Sequence, residues 1–268
     1  PSRRSPGSGS RWPQHTPHGP APPGTPPLQL TYDQGVCGRY ALTVAPDVLA
    51  ALFSLSSSKG TVDDPTEVPA RFNLAPSQEA QVVVRAEDAR GRALSHMRWG
   101  LVPSWARDSK IAHRTINARS ETAAEKPSFR SAFKRRRCLV PASWFYEWRR
   151  EAGTKVPYRI RRSDRRPLAF AGLWERWEGT SAEPPRVSFT ILTTNANEDV
   201  AALHDRMPCL IEPEDFDRWL TPEVDDPGAK GRLLAPAPAG LLTLDRVSSR
   251  LNSVRNEGPG LMTPDTLF

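Results

Sequence analysis

The sequence of 268 residues has few cysteines, which stand only at positions 37, 138 and 209. They are odd in number, lie far apart and never form a CxxC pair. This pattern argues against a disulfide framework and against a cysteine zinc site. We therefore expect a protein of a reducing, cytoplasmic compartment, with no bound metal.

Long apolar runs are also absent. No stretch approaches the roughly 18 apolar residues that a membrane span needs, and the N-terminal region lacks the apolar core of a secretory signal. The sequence contains neither a GxGxxG motif nor a Walker motif for binding nucleotides. We accordingly expect no membrane partner and no cofactor.

The chain has a modest apolar content and an excess of positive charge. Only 38% of its residues are apolar, but eight Trp and nine Phe supply enough large side chains for a sizeable core. The formal net charge is +7 and the sequence pI is about 9.7. A basic protein of this kind favours an anionic partner, most commonly a nucleic acid, but a basic surface without any such partner is about as common.

The amino-acid composition of the chain changes close to Cys37. The preceding segment is dominated by Pro, Gly, Ser and Thr and has too little apolar surface to offset its conformational entropy. We expect a disordered tail over residues 1–35, a single folded domain over residues 36–260 and a short C-terminal tail over residues 261–268.

Short β-like runs dominate the expected domain. They are rich in Val, Ile, Phe, Trp and Tyr and cover residues 81–87, 137–150, 156–162, 167–177 and 187–196. Helices are predicted over 46–55, 127–137 and 213–220; all three begin with Pro, and the second is basic and amphipathic. The fold class that follows is α+β, with a β-rich core of twisted-sheet or barrel-like type and short flanking helices.

Six polar and aromatic clusters could carry chemistry: CGRY (37–40), RFNLAPSQ (71–78), RWGLVPSW (98–105), NARSET (117–122), FYEW (145–148) and LHDRMP (203–208). Alternation within FYEW leaves Glu147 either on an interior face, where burial would raise its pKa, or at an exposed edge. His204 is either a proton carrier or a structural histidine paired with the adjacent acid.

Cys37 has two interpretations. As an internal residue it is a core or inert cysteine. As the first residue of a chain it carries a free α-amine two carbons from its thiol. Such a 1,2-aminothiol condenses with an aldehyde to an imine, which the thiol then closes into a thiazolidine ring.

The six clusters, in this order, resemble the SRAP family (SOS response-associated peptidase) of abasic-site DNA–protein crosslinking proteins. The resemblance covers roughly residues 36–260. It implies a β-rich α+β domain with a positively charged cleft for single-stranded DNA, and a monomer associated with the bacterial nucleoid. The partner that it implies is single-stranded DNA containing abasic sites.

Roles follow from the motif positions of the family. Cys37 is implied as the nucleophile, Asn117 as the residue that orients the sugar, and Glu147 and His204 as the groups that move protons. The residues implied to contact DNA or shape its pocket are Arg39, Asn73, Pro76, Trp99 and Arg119, with Trp99 expected to stack or wedge against bases.

The chain departs from the family at its front, because Val36 and a long segment precede the cysteine. Either a prosegment is cleaved between Val36 and Cys37, or Val36 is a misread start that is translated as Met; we favour the second explanation. In both cases we expect the active form to begin at Cys37. Two other functions stay open: a peptidase that releases only its own N-terminal segment, and a noncovalent module for binding single-stranded DNA.

Overall fold

The computed structural model describes residues 37–55, 69–86, 91–221 and 231–265. The predicted N-terminal tail lies outside these residues. Within them, no helix is both long enough and apolar enough to cross a membrane. The chain forms twelve strands: β1 (Tyr40–Leu42), β2 (Arg71–Leu74), β3 (Glu79–Arg85), β4 (Arg92–Trp99), β5 (Asn117–Arg119), β6 (Arg137–Ala142), β7 (Trp144–Glu151), β8 (Thr154–Arg162), β9 (Leu168–Trp177), β10 (Arg186–Asn195), β11 (Arg206–Pro208) and β12 (Leu242–Arg246).

Five strands form a closed barrel. β10 pairs in parallel with β4, and the antiparallel pairs β4–β3, β3–β6, β6–β9 and β9–β10 complete the circle. The short strands β5 and β11 extend this sheet by pairing with the C-terminal half of β10. The β-rich α+β class and the barrel-like core predicted from the sequence are confirmed.

The other five strands form an open sheet in the order β12-β8-β7-β1-β2. Aromatic side chains join it to the barrel. The Tyr40 ring of β1 lies 5.2 Å from the Trp99 ring and 5.9 Å from the Phe170 ring, and Phe145 of β7 lies 6.0 Å from Phe170. Because full burial of an aromatic side chain stabilises by roughly 1.5–3 kcal/mol, these contacts hold the sheet firmly on the barrel.

Ser143 marks one point where the chain leaves the barrel and enters the open sheet. The sequence predicts one run over 137–150, but the structure divides it into β6 of the barrel and β7 of the open sheet. Ser143 N–H donates to the Ala41 carbonyl, and Ser143 Oγ accepts from Thr43 N–H at 2.8 Å. These bonds to the β1 segment fix the change of direction, which strand propensity alone does not reveal.

The helices are few and short: α1 (Pro46–Phe53), α2 (Arg130–Arg135) and α3 (Phe216–Leu220). Each lies within or overlaps a helix predicted from the sequence. The predicted C-terminal tail begins inside the packed structure. Leu261 is buried in a cluster with Ala41 and Tyr146, and Asp265 accepts a hydrogen bond from Ser248 Oγ at 2.7 Å, so the fold extends at least to Asp265.

Candidate active site

Cys37 and Glu147 meet where β1 lies beside β7. The antiparallel register pairs Tyr40 with Phe145, and Tyr146 N–H donates to the Arg39 carbonyl, so the chain preceding β1 runs along β7 towards Glu147. The backbone N–H of Cys37 donates to Glu147 Oε1 at 2.6 Å. The sheet register thus brings together two residues that are 110 positions apart in the sequence.

Glu147 is buried, with 3% of its surface exposed. Burial raises the pKa of its carboxyl to about 8, and the negative charge of Asp205 adds to the rise. Hydrogen bonds from the backbone N–H groups of Cys37 and Trp148 act in the opposite direction. The interior position considered from the FYEW alternation is therefore the one adopted, with the raised pKa that burial there implies.

Cys37 is also buried, and its backbone is strained. Burial, followed by the charge of Glu147, raises the pKa of the thiol well above its ordinary value. The φ angle of Cys37 is +49°, in the left-handed region that residues other than Gly rarely adopt. Strain of this kind costs about 1–3 kcal/mol and concentrates at functional sites.

Arg39 and Asn73 form a buried polar contact beside this pair. Arg39 Nη1 donates to Asn73 Oδ1 at 2.6 Å and to the Leu251 carbonyl at 2.9 Å, and its guanidinium lies 5.7 Å from the centre of the Trp148 ring. Asn73 Nδ2 donates to the carbonyls of Ser253 and Asn256. Both predicted residues thus hold the 251–256 segment against the open sheet.

Asn117, Arg119 and His204 are arranged around β10. Asn117 is half-buried and Arg119 is exposed on β5, which pairs with β10 in the register Ile191 to Asn117 and Thr193 to Arg119. His204 lies just before β11, which pairs with the opposite edge of β10. The half-buried His204 has Nδ1 at 2.7 Å from Asp205 Oδ1. The negative charge of Asp205, in the LHDRMP segment, also raises the pKa of Glu147.

Trp99 occupies a core position instead of the predicted base contact. Its ring is 1% exposed, lies 6.2 Å from the Phe189 ring and donates from Nε1 to the Ile116 carbonyl at 2.9 Å. It therefore holds the residue that immediately precedes Asn117. Gly100, at φ +119°, turns the chain where a Cβ would lie 2.8 Å from the Ala112 carbonyl oxygen. Pro76 is likewise buried.

A different tryptophan of the same motif faces solvent. Trp105 is 58% exposed, although its Nε1 donates to the Pro127 carbonyl at 3.3 Å. The backbone next to it is fixed, because Trp177 Nε1 donates to the Ala106 carbonyl at 2.8 Å. The motif RWGLVPSW contains both tryptophans, and its pattern does not reveal which one is exposed.

A cavity of about 1020 Å³ opens beside the NARSET segment. Among its lining residues are Ser120, Glu121 and Asn195, together with Lys134 and Arg135 of α2. Cys37, Glu147 and His204 are not among them. Within the described ranges of the chain, no group of three or more His, Cys, Asp or Glu side chains could hold a metal ion.

Comparison with known proteins identifies the family of the chain. The family model for the SOS response associated peptidase (SRAP) matches residues 36–254. The chain belongs to the SRAP family. It is 39% identical over 230 residues to "Abasic site processing protein YoqW" of Bacillus subtilis (strain 168), a match that covers 85% of this chain and 99% of that protein. It is 30% identical over 262 residues to "Abasic site processing protein HMCES" of Xenopus tropicalis, covering 85% and 78% of the two chains.

Solved structures share the fold. A crystal structure of a protein from Bordetella bronchiseptica has a TM-score of 0.65 and 31% identity, and the match covers 79% of this chain and all of that one. A crystal structure from Bacteroides thetaiotaomicron has a TM-score of 0.75 at 24% identity, covering 86% and 100% of the two chains. The second likeness concerns the fold alone.

The sequence predicts Asp205 only as a possible structural partner of His204, and it assigns no role to Trp148. Asp205 contacts His204 and acts on Glu147, and Trp148 supplies both a backbone donor to Glu147 and a ring beside Arg39. Both lie within motifs that were singled out, so adjacency to the predicted residues was the available signal. The contact between Glu121 and Arg206 joins two motifs and had no such signal.

Proposed function

We propose that this SRAP protein processes abasic sites in single-stranded DNA by forming a covalent thiazolidine link with Cys37. The relatives named abasic site processing proteins and the net charge of +7 support DNA as the partner. The observation that carries the proposal is the 2.6 Å contact between the Cys37 nitrogen and the buried Glu147 carboxyl.

In this reaction the amine and the thiol of Cys37 both bond to the carbon of one aldehyde. The Cys37 α-amine adds to the aldehyde carbon of the ring-opened abasic sugar, and loss of one water gives an imine. The Cys37 sulfur then bonds to the imine carbon while the thiol proton passes to the nitrogen. One water leaves overall, and no oxidant or cofactor is required.

Glu147 has the properties that these reaction steps require of a base. An α-amine has an ordinary pKa of roughly 7.7–8.0, and a carboxyl with a pKa of about 8 can take its proton and later return one to a departing oxygen. Their contact distance permits direct transfer. Imine formation also opens a route to β-elimination, so weak lyase activity is an expected side reaction.

The other predicted residues have supporting roles in the proposal. His204 moves protons during opening of the sugar ring, Asn117 orients the sugar, and the exposed Arg119 contacts a phosphate. Trp105 offers an exposed ring for a neighbouring base, since base stacking on aromatic side chains tolerates any sequence.

The active form in this proposal begins at Cys37. An acylated nitrogen cannot form an imine, so a chain that retains its preceding segment is unreactive. The φ angle of +49° at Cys37 is consistent with this form, because a first residue has no preceding carbonyl and the strain disappears.

The test is a denaturing gel with an abasic single-stranded oligonucleotide. The full 268-residue chain is compared with a chain that begins at Cys37, and cyanoborohydride is added in parallel to trap the imine. We expect a stable crosslink from the shorter chain only. An equally stable crosslink from the intact chain, with mass spectrometry finding its N-terminal segment still attached, would contradict the proposal.

The same contact supports a second candidate function, release of the chain's own N-terminal segment. Water adds to the Val36 carbonyl carbon, the Val36–Cys37 peptide bond breaks, and a protonated Glu147 can donate to the departing Cys37 nitrogen. Incubating the full chain without DNA and measuring its mass tests this function. A product lacking residues 1–36 supports it, and an unchanged mass in every preparation excludes it.

A further inference from the structure

A bidentate ion pair connects the NARSET and LHDRMP segments. Arg206 Nη1 donates to Glu121 Oε1 at 2.6 Å, and Arg206 Nη2 donates to Glu121 Oε2 at 2.8 Å. The Arg206 side chain is 7% exposed, whereas that of Glu121 is 45% exposed. Hydrogen bonds from Arg206 hold the pKa of the Glu121 carboxyl below its ordinary value, so the pair stays charged at neutral pH.

Further acceptors fix the same guanidinium. Arg206 Nη1 also donates to Asn195 Oδ1 at 2.7 Å, and Nη2 also donates to the Thr193 carbonyl at 2.6 Å. Each Nη atom therefore has two acceptors, and two parallel bonds to a carboxylate define the orientation of the planar group. Turning it towards a DNA phosphate would break these bonds inside a nearly buried site.

The backbone of Arg206 contacts the imidazole of His204. Arg206 N–H donates to His204 Nδ1 at 3.1 Å, and Asp205 Oδ1 lies 2.7 Å from the same nitrogen. A neutral imidazole accepts from Arg206 N–H, which leaves its proton on Nε2. An imidazolium instead donates from Nδ1 to Asp205. The neutral imidazole is thus matched by Arg206 N–H and the imidazolium by Asp205. A histidine that gives and takes protons needs a partner in both states.

We infer that Glu121 is a positioning residue for His204 and acts through Arg206. By holding the guanidinium, Glu121 fixes the backbone N–H that selects the Nε2-protonated form of the imidazole. Glu121 does not touch the reacting atoms in this scheme. The inference rests on the proposed function, in which His204 moves protons at the abasic sugar.

The test substitutes Glu121→Gln, which keeps one acceptor for Arg206, and Glu121→Ala, which removes both. Crosslinking rates are measured at saturating abasic DNA in the form of the chain that reacts in the gel assay. We expect the rate to fall about tenfold for Glu121→Ala and less for Glu121→Gln, because small displacements of a proton carrier slow its reaction. Affinity for an undamaged oligonucleotide should stay within twofold.

A spectroscopic measurement separates positioning from general loss of structure. ¹⁵N spectra of the histidine side chains of the full chain, with His204→Gln used for assignment, report which ring nitrogen of His204 carries the proton. We expect the Nε2-protonated signature to weaken in both Glu121 variants. The control is Glu178→Gln, which removes an exposed carboxylate 2.8 Å from Arg176 Nε and should leave both rate and spectrum unchanged.

Several outcomes would overturn the inference. An unchanged His204 spectrum and an unchanged rate would leave the ion pair as a stability contact only. Tighter binding of undamaged DNA by Glu121→Gln would instead indicate that Arg206 contacts phosphate and that Glu121 restrains it. If the unsubstituted chain forms no crosslink at all, the proposed function fails, while the histidine spectrum still decides whether Glu121 positions His204.

Discussion

The barrel and the open sheet each bury a glutamate, and they do so differently. In the barrel, Glu175 of β9 is 5% exposed and has Arg136 Nη2 at 2.5 Å. In the open sheet, Glu147 of β7 is 3% exposed and receives hydrogen bonds from backbone N–H groups, and burial raises its pKa to about 8. The barrel offsets a buried charge with a cation, whereas the open sheet buries a carboxyl without one and raises its pKa.

The buried cysteines extend the same contrast. Cys138 of β6 is fully buried, and burial raises its pKa. Cys37 is equally buried but lies next to the Glu147 carboxyl at a strained backbone position. Burial is the same for the two thiols. What distinguishes them is their neighbouring atoms.

Replacing each cysteine gives the largest expected difference. We expect Cys37→Ala to abolish the crosslink to abasic DNA, because it removes the sulfur that closes the ring. Cys138→Ala should retain crosslinking and lower the free energy of unfolding by about 1 kcal/mol through lost core packing. Denaturing gels and urea denaturation measure the two effects. A full-strength, stable crosslink from Cys37→Ala would remove the distinction between the thiols.

Neutralising each buried glutamate comes next. Glu147→Gln should slow crosslinking by roughly 10²–10⁴-fold, the usual contribution of a general acid or base. Glu175→Gln should leave the rate unchanged and cost about 1–3 kcal/mol of stability, because Arg136 loses its charged partner. Single-turnover kinetics on both variants test the contrast, and equal slowing in the two variants would contradict it.

The pH dependence of stability sharpens the contrast further. The pKa of Glu147 is about 8 in the folded chain and 4.5 as its ordinary value, so between these values the folded state holds a proton that the unfolded state releases. Stability should therefore fall as pH rises from about 4.5 to 8, by at most roughly 5 kcal/mol. Urea midpoints of the unsubstituted chain and of Glu147→Gln, compared at pH 5 and pH 8, isolate this contribution. A pH-independent difference between the two proteins would exclude it.

Of the two tryptophans of RWGLVPSW, Trp99 lies in the core and Trp105 lies at the surface. Trp99→Ala should lower the free energy of unfolding by about 3–5 kcal/mol, since it empties a core position. Trp105→Ala should leave stability within about 0.5 kcal/mol and weaken binding of single-stranded DNA by about 1–3 kcal/mol. Thermal melting and fluorescence anisotropy measure these effects. If Trp105→Ala leaves DNA binding unchanged, the exposed ring has no role at the interface.

The sequence was informative where the signal is local. Apolar runs located β3, β8, β9 and β10, and the FYEW alternation offered the buried position that Glu147 adopts. It failed where partners are distant. The division at Ser143 depends on bonds to β1, the burial of Trp99 depends on rings from other strands, and the Glu121–Arg206 contact spans 85 positions. Tertiary packing decides such features, and residue patterns do not encode them directly.

The change of sheet at Ser143 also bears on how the molecule unfolds. At this crossing a one-residue link, with both its N–H and its Oγ bonded to the β1 segment, ties the barrel to the sheet that carries Glu147. The two sheets should therefore melt in one cooperative transition, and the site should persist for as long as the barrel does. Heating would end the chemistry and the fold at the same temperature.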